Sequence, residues 1–337
     1  MSHAVVVGGA GFVGSWVVKG LLEQEYDRVT VIDNLLSSER WNIPKDPRVE
    51  FILGSASDSN TLLRVKGAVD SVFHLACFHG NQSSIANPLM DLENNLKPTL
   101  TVLDWVEKAH PNARVVYTGA GCAVAPKTWD TPTGVPEVDE TPILHDSPYS
   151  ISKVTGEMYA KYFADRRGLD VVRVRFQNAY GPGEILGAGQ WRGTEHTIWR
   201  NVVPTFVWKA LHGETLVLHG GGEATRDFVY VRDLARGVLV ASDKGKSGEV
   251  YNLASGQETT IKQLAEMILK STSSDSQIEF TERRDWDHSG RRFGDPQKSQ
   301  SELGFMTEYT LAEGIDSTVK WASENSLRIA ATIERHI

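Results

Sequence analysis

The chain has 337 residues, 40% hydrophobic and 23% charged, which is ordinary globular composition. Its net charge of −8 argues against a nucleic-acid binder working through a general basic surface. Two cysteines, Cys77 and Cys122, make neither a disulfide framework nor a zinc spacing, so no metal is expected. No apolar run approaches the roughly 18 residues of a membrane span. The N-terminal apolar run lacks a basic leader and is broken by glycines, unlike a signal peptide. The expectation is a soluble, cytoplasmic protein without nucleic-acid or membrane partners.

The first half of the chain alternates. Apolar runs at Ala4–Val7, Val29–Ile32, Val49–Leu53, Val69–Leu75, Val115–Tyr117 and Val171–Phe176 read as strands. Helical patterns at Phe12–Glu23, Leu89–Ala109 and Tyr149–Arg166 lie between most of them. Near-continuous apolar strands separated by helices predict an α/β fold with a parallel sheet covered on both faces. Phe176 closes that series. Further on, Val202–His212 reads as a helix, Thr215–His219 and Arg226–Val231 as strands, and Val231–Ser242 as a helix. Residues 1–178 with about 225–256 are expected to form one domain. Residues 179–224 with about 257–337 are expected to form a smaller, discontinuous second one.

The first strand runs into Gly8, Gly11 and Gly14 and then a helix. Glycine is needed where the chain turns tightly, where backbone amides meet a pyrophosphate and where helix packs on strand, so the pattern points to a dinucleotide. The helix N-terminus then faces the negative charge. Asp33 ends the second strand close to the expected distance of about 20 residues beyond the turn. A carboxylate there accepts from ribose hydroxyls and repels a 2′-phosphate, favouring NAD over NADP. Tyr149 and Lys153, at i and i+4 near the start of a helix, share one face. An ammonium beside a phenol favours the phenolate, so Tyr149 is expected to act as a base below the ordinary phenol pKa of about 10. In an acidic protein, a bound diphosphate calls for placed arginine forks.

These words together resemble the extended short-chain dehydrogenase/reductase family, in its nucleotide-sugar epimerase/dehydratase branch. The matching stretches are VVGGAGFVGS at 6–15, VIDN at 31–34, HLA at 74–76, NN at 94–95 and SPYSISKVTGE at 147–157, then RFQNAYGPG at 175–183, TRDFVYVRDLARG at 225–237 and ELGF at 302–305. FHGNQSSI at 78–85 and GEILGAGQWRGT at 183–194 are most like enzymes of bacterial surface-polysaccharide (O-antigen type) clusters. The resemblance implies a Rossmann-type doubly wound sheet with a smaller C-terminal substrate domain. It implies that Gly8, Gly11, Phe12, Val13, Gly14, Asp33, Asn34, Ser55, Leu75, Ala76 and Asn95, with Tyr149 and Lys153, hold NAD. Ser84, Ala120, Gly121, Asn178, Val203, Arg226, Arg284 and Asp287 would meet the nucleotide-diphosphate sugar. Tyr149 and Lys153 would be the catalytic pair, and the helices at 89–109 and 149–166 would build a homodimer.

The chain departs from the family at VVYTGAGC, 115–122. The family places there a Ser or Thr that bonds the reacting hydroxyl; Ala120 stands in its place. Its 4,6-dehydratases follow with an Asp and a Glu; here Gly121 and Cys122 stand instead. Thr118 and Cys122 flank the gap, and in an extended strand residues 118, 120 and 122 face one way. Both are candidate catalytic residues, Thr118 or a bound water as a proton partner and Cys122 as an acid/base. Ser55 replaces a usual adenine-contacting Asp, and Pro98 interrupts a helix it is expected to bend. The expected activity is NAD-dependent epimerisation at C4 through a 4-keto sugar. The alternatives are C3/C5 epimerisation or dehydration using Cys122, an oxidoreductase that releases its product, and a non-catalytic NAD-binding protein.

Overall fold

The computed structural model describes residues 2–125, 128–139, 145–190, 198–199, 201–285, 287 and 290–336. Its centre is a seven-stranded sheet. The first six strands in sequence are β1 (His3–Val7), β2 (Arg28–Asp33), β3 (Val49–Leu53), β4 (Ser71–His74), β5 (Arg114–Ala120) and β6 (Val171–Phe176). The seventh is Val250–Leu253, and the spatial order is Val250–Leu253, β6, β5, β4, β1, β2, β3. Every pairing is parallel. This is a doubly wound, Rossmann-like α/β sheet.

Side-chain alternation sorts the strands onto two faces. Ala4 and Val6 pack with Val17, Val18, Leu234 and Val238, under the helices Phe12–Glu23 and Val231–Lys244. Val5 and Val7 pack with Val102, Val106, Ala160 and Phe163, under the helices Lys97–Ala109 and Pro148–Arg167. The winding reverses at β1, which has β2 on one side and β4 on the other. At such a switch the carboxyl ends of neighbouring strands splay apart and leave a crevice. A third cluster, with Leu186, Val203, Phe206, Leu216, Leu264, Ile315 and Ile329, lies beyond the sheet. There Leu216–His219 pairs in parallel with Ile278–Thr281.

The structure corrects several expectations. Phe176 does not close the strand series: Val250–Leu253 adds a further, wholly buried strand beside β6. The expected strand Arg226–Val231 is two, Thr225–Arg226 and Phe228–Tyr230, pairing with different partners. The expected helix Leu89–Ala109 is three pieces: Pro88–Asp91, a π-helical turn at Leu92–Leu96, and Lys97–Ala109. Pro98 sits just beyond the π turn. It has no N–H to continue the i→i−4 ladder, and the widened turn absorbs the break. The strand β5 stops at Ala120, and Gly121–Val124 is one helical turn, so Cys122 does not continue the strand alternation of 118 and 120.

The helix that carries Tyr149 and Lys153 is anchored at both ends and in the middle. Ser147 caps it, accepting from Ser150 N at 3.3 Å, Pro148 opens it, and Gly168 closes it at φ +71°. Gly156 lets it approach β5: a Cβ there would lie 2.3 Å from the Tyr117 hydroxyl. That hydroxyl donates to the Lys153 carbonyl at 3.1 Å. One turn on, Glu157 accepts from Arg175 of β6 at 2.8 Å, with the two side chains 5% and 1% exposed. Arg175 also donates to the carbonyls of Pro136 and Val138, tying the loop after β5 to the sheet. Removing one partner of such a pair strands the other charge out of water. Glu157→Ala is therefore expected to lower the unfolding free energy by about 3–5 kcal/mol, measured by urea denaturation. Glu107→Ala, at the half-buried partner of the exposed Arg167 on the same helix, is expected to cost under about 1 kcal/mol.

Candidate functional site

A cavity of about 550 Å³ runs from the switch point between β1 and β4 to the third cluster, beyond the sheet. At the sheet end it is walled by the glycine turn. Gly8 takes φ +85°, and a Cβ there would stand 2.5 Å from Ala76 N. A Cβ on Gly14 would stand 2.1 Å from the Gly8 carbonyl oxygen. Gly11 N donates to that same oxygen at 3.1 Å, and the helix Phe12–Glu23 opens directly behind. The bare backbone and helix N-terminus form a cradle sized for a pyrophosphate.

Asp33 ends β2 beside this cradle, buried to 8% exposure. Its carboxylate accepts from Ala10 N at 3.0 Å, Leu35 N at 2.9 Å and Ser38 Oγ at 2.7 Å. Burial pushes its pKa up, and these donors hold it down. It therefore both fixes the glycine turn and puts an acceptor at the cavity wall. Gly8, Gly11, Phe12, Val13, Gly14, Asp33, Asn34, Ser55, Leu75 and Ala76 all line the cavity. Asn95 does not. Its amide is turned inward, accepting from Phe78 N and donating to Phe78 O and to Asp91, so it braces the wall from behind.

Tyr149 and Lys153 line the middle of the cavity. Lys153 Nζ donates to the Thr118 carbonyl at 3.0 Å. Thr118 also lines the cavity, and its hydroxyl donates to the His74 carbonyl at 2.8 Å. The expected lowering of Tyr149 by the ammonium is not found. Burial comes first and pushes the phenol well above its usual range; Cys77 and Cys122 push it the same way. Lys153 is aimed at the strand carbonyl, and desolvation outweighs it. The imidazole of His79 stands edge-on to the Tyr149 ring at 5.6 Å.

Cys77 is the residue sequence reasoning passed over. It follows the HLA word at the end of β4, and its thiol donates to the Tyr149 hydroxyl at 3.8 Å. No motif marks it; only the packing of β4's end against the helix of Tyr149 brings the two together. Ala120 and Cys122 line the same region. Gly121 does not face the cavity, and Ser84 is fully buried with its hydroxyl donating to the Asn81 carbonyl.

At the far end stand Asn178, Val203, Arg226, Arg284 and Asp287. Arg226 donates to the carbonyls of Thr225 and Gly290, and Asp287 lies 4.0 Å from its guanidinium. Burial, then the charge of Arg292, pulls the Arg226 pKa down. That marks a cation held out of water, which an anionic ligand relieves. Arg292 itself is 8% exposed. Its neighbour Arg291 is paired to Glu258. The His219 ring also lines this end. Among the described residues no His/Cys/Asp/Glu cluster fit for a metal is present, and no helix is long and apolar enough to cross a membrane.

Residues 4–254 match the model of the NAD dependent epimerase/dehydratase family. The chain belongs to this family. A putative UDP-glucose 4-epimerase of Methanocaldococcus jannaschii is 30% identical over 323 residues, covering 96% of this chain and 99% of that protein. A dTDP-glucose 4,6-dehydratase of an Actinoplanes species is 29% identical over 338 residues, covering 95% and 98%. Among solved structures, the Bordetella bronchiseptica enzyme WbmF in complex with NAD+ and UDP is 45% identical, with a TM-score of 0.89 over 99% of this chain and 96% of that one. The protein is thus an NAD-dependent enzyme of the nucleotide-sugar epimerase/dehydratase class, in its extended short-chain dehydrogenase/reductase form. The glycine cradle and Asp33 fit that cofactor.

The Cys77 contact has a measurable outcome. The Tyr149 phenol is pushed up by burial first and next by Cys77 beside it. Cys77→Ala removes that neighbour and is expected to lower the pKa of Tyr149. The acid limb of the kcat/KM profile should move to lower pH, and Cys77→Ser should move it the same way.

Proposed function

We propose that the protein epimerises a nucleotide-diphosphate sugar at C4. The observation that carries this reading is the content of one cavity. The Tyr149–Lys153 pair stands between a pyrophosphate cradle and the Arg226 end, and positions 120–122 bring no carboxylate beside the tyrosine. NAD, when bound, supplies the acceptor and then the donor of the C4 hydride. Tyr149 takes the C4 hydroxyl proton and returns it after the 4-keto sugar has turned. Lys153, one helical turn on and held by the Thr118 carbonyl, lines the same stretch of the cavity. Arg226, with Arg284, holds the diphosphate end, and the UDP-bound relative supports a UDP sugar. The exposed apolar side chains Ile151, Met158, Tyr159 and Tyr162 on one helix, with Leu89 and Leu92 nearby in sequence to the other, support a homodimer through those helices. The likeness to surface-polysaccharide enzymes supports a cytoplasmic role supplying sugars for such polymers.

A second reading rests on Cys122, whose side chain lines the cavity. As an acid/base it would enolise the 4-keto sugar and act at C3 or C5, or drive dehydration. Turnover of UDP-hexoses in deuterated water separates the readings. C4 epimerisation by hydride return leaves C3 and C5 free of deuterium; label at either carbon establishes the thiol reading instead. Tyr149→Phe is expected to lose about 10² to 10⁴ in kcat, the usual share of a general base, while retaining NAD. Cys122→Ser should stay within about threefold of the parent under the C4 reading, and a loss comparable to that of Tyr149→Phe would overturn it. Thr118→Val is the contrast, because it removes the hydroxyl nearest in sequence to Ala120.

A further inference from the structure

Gln177 follows β6 and lines the cavity, yet neither the motif nor the chemistry above gives it a role. Its carboxamide reaches between two glycines. A Cβ on Gly121 would lie 2.1 Å from Gln177 Nε2 and 2.7 Å from its Cδ. A Cβ on Gly294 would lie 2.6 Å from the same nitrogen. Gly294 is fixed in turn by its N–H, which donates to Asp227 at 3.1 Å. The amide therefore occupies the volume that a side chain at 121 would fill, next to Ala120 and Cys122 of the cavity wall.

Contacts wedge this carboxamide on two sides. Among the described residues its Nε2 is buried without a partner. The two ends of a carboxamide have nearly the same shape, and a half turn about the last bond exchanges donor and acceptor. A buried amide group lacking a partner is a standing cost that a ligand atom can remove. Near neutral pH the group neither gives nor takes a proton, so it selects and does not catalyse.

We propose that Gln177 is a specificity-determining residue of the sugar subsite, its carboxamide hydrogen-bonding an oxygen substituent of the hexose. This rests on the nucleotide-sugar reading and adds to it the residue that reads the sugar. Sites built to hydrogen-bond a substrate group discriminate strongly against ligands that lack it. Gly121 is a bystander that makes room.

The test is calorimetry on the NAD-loaded protein with UDP, UDP-galactose, UDP-N-acetylgalactosamine and UDP-galacturonic acid, whose sugars offer a hydroxyl, an acyl oxygen and a carboxylate. At least one sugar nucleotide is expected to bind the parent about tenfold or more tighter than UDP, the size of one well-placed hydrogen bond. Gln177→Leu should bring that margin to within about threefold of UDP while leaving the affinity for UDP itself unchanged, which also serves as the control for folding. Gly121→Ala should do the same, because the atoms nearest its methyl all belong to the movable end of Gln177, which it pushes aside. In the Gln177→Leu background Gly121→Ala should add no further loss. A margin that survives Gln177→Leu, or a Gly121→Ala loss that is the same with and without the amide, overturns the proposal and leaves the enzyme reading standing. A parent with no margin for any sugar, and no change in NADH absorbance on mixing, removes both.

Discussion

The structure depends on one close approach of backbone to backbone. Gly8, at the end of β1, is pressed against Ala76 beyond β4, and Gly14 of the following helix against the Gly8 carbonyl. The helix can enter directly over the strand end only because none of these contacts involves a side chain. That entry sets the helix N-terminus at the crevice where the winding reverses, and Asp33 clamps the turn through Ala10 N. A methyl at 8 or 14 pushes helix and sheet apart by an ångström or more, and the cradle opens. The rest of the cavity is organised around this fixed corner.

The middle of the cavity is held by a second set of contacts. Gly156 against Tyr117 and Glu157 against Arg175 set the height of the helix over β5 and β6. On the opposite side, Ser152 bonds Asp91, which also accepts from Asn95, whose amide holds the Phe78 backbone. The π turn at Leu92–Leu96 places Asn95 on that inner side. Thus Tyr149 is positioned mainly from behind the cavity wall, with Phe78 the link that reaches it, and its environment is dry enough that burial dominates its proton affinity.

Much of this was legible in the sequence, for a physical reason: glycines at forced backbone positions, a carboxylate at a strand end and an i, i+4 pair are all local patterns. The glycine turn, Asp33, the Tyr149–Lys153 face and Arg226 each line one cavity. What escaped was set by tertiary direction. Asn95, Ser84 and Gly121 lie in the right segments, but their side chains or backbone face away from the cavity. Cys77 sits beside a recognisable word and Gln177 inside one, and only the packing of β4's end and of the β6 exit turns them inward. Val250–Leu253 offered just four residues of pattern, and its pairing with β6 is entirely non-local.

That last strand has a consequence for the order of biogenesis. As the polypeptide leaves the ribosome, β1 to β6 are complete once Phe176 has emerged, but the sheet keeps an open edge on β6 until Val250–Leu253 arrives. At about 5–20 residues per second, translation of the intervening segment takes several seconds. Throughout that interval the nascent chain exposes an unpaired parallel edge next to the buried charge of Arg175, the kind of template that attracts aggregation. The late strand and the helix Val231–Lys244 before it close the edge and cover one face of the sheet in a single stretch of synthesis. A stall or truncation before residue 250 leaves a protein with its pyrophosphate cradle built and its flank unsealed, so chaperone demand should be concentrated in that window of elongation.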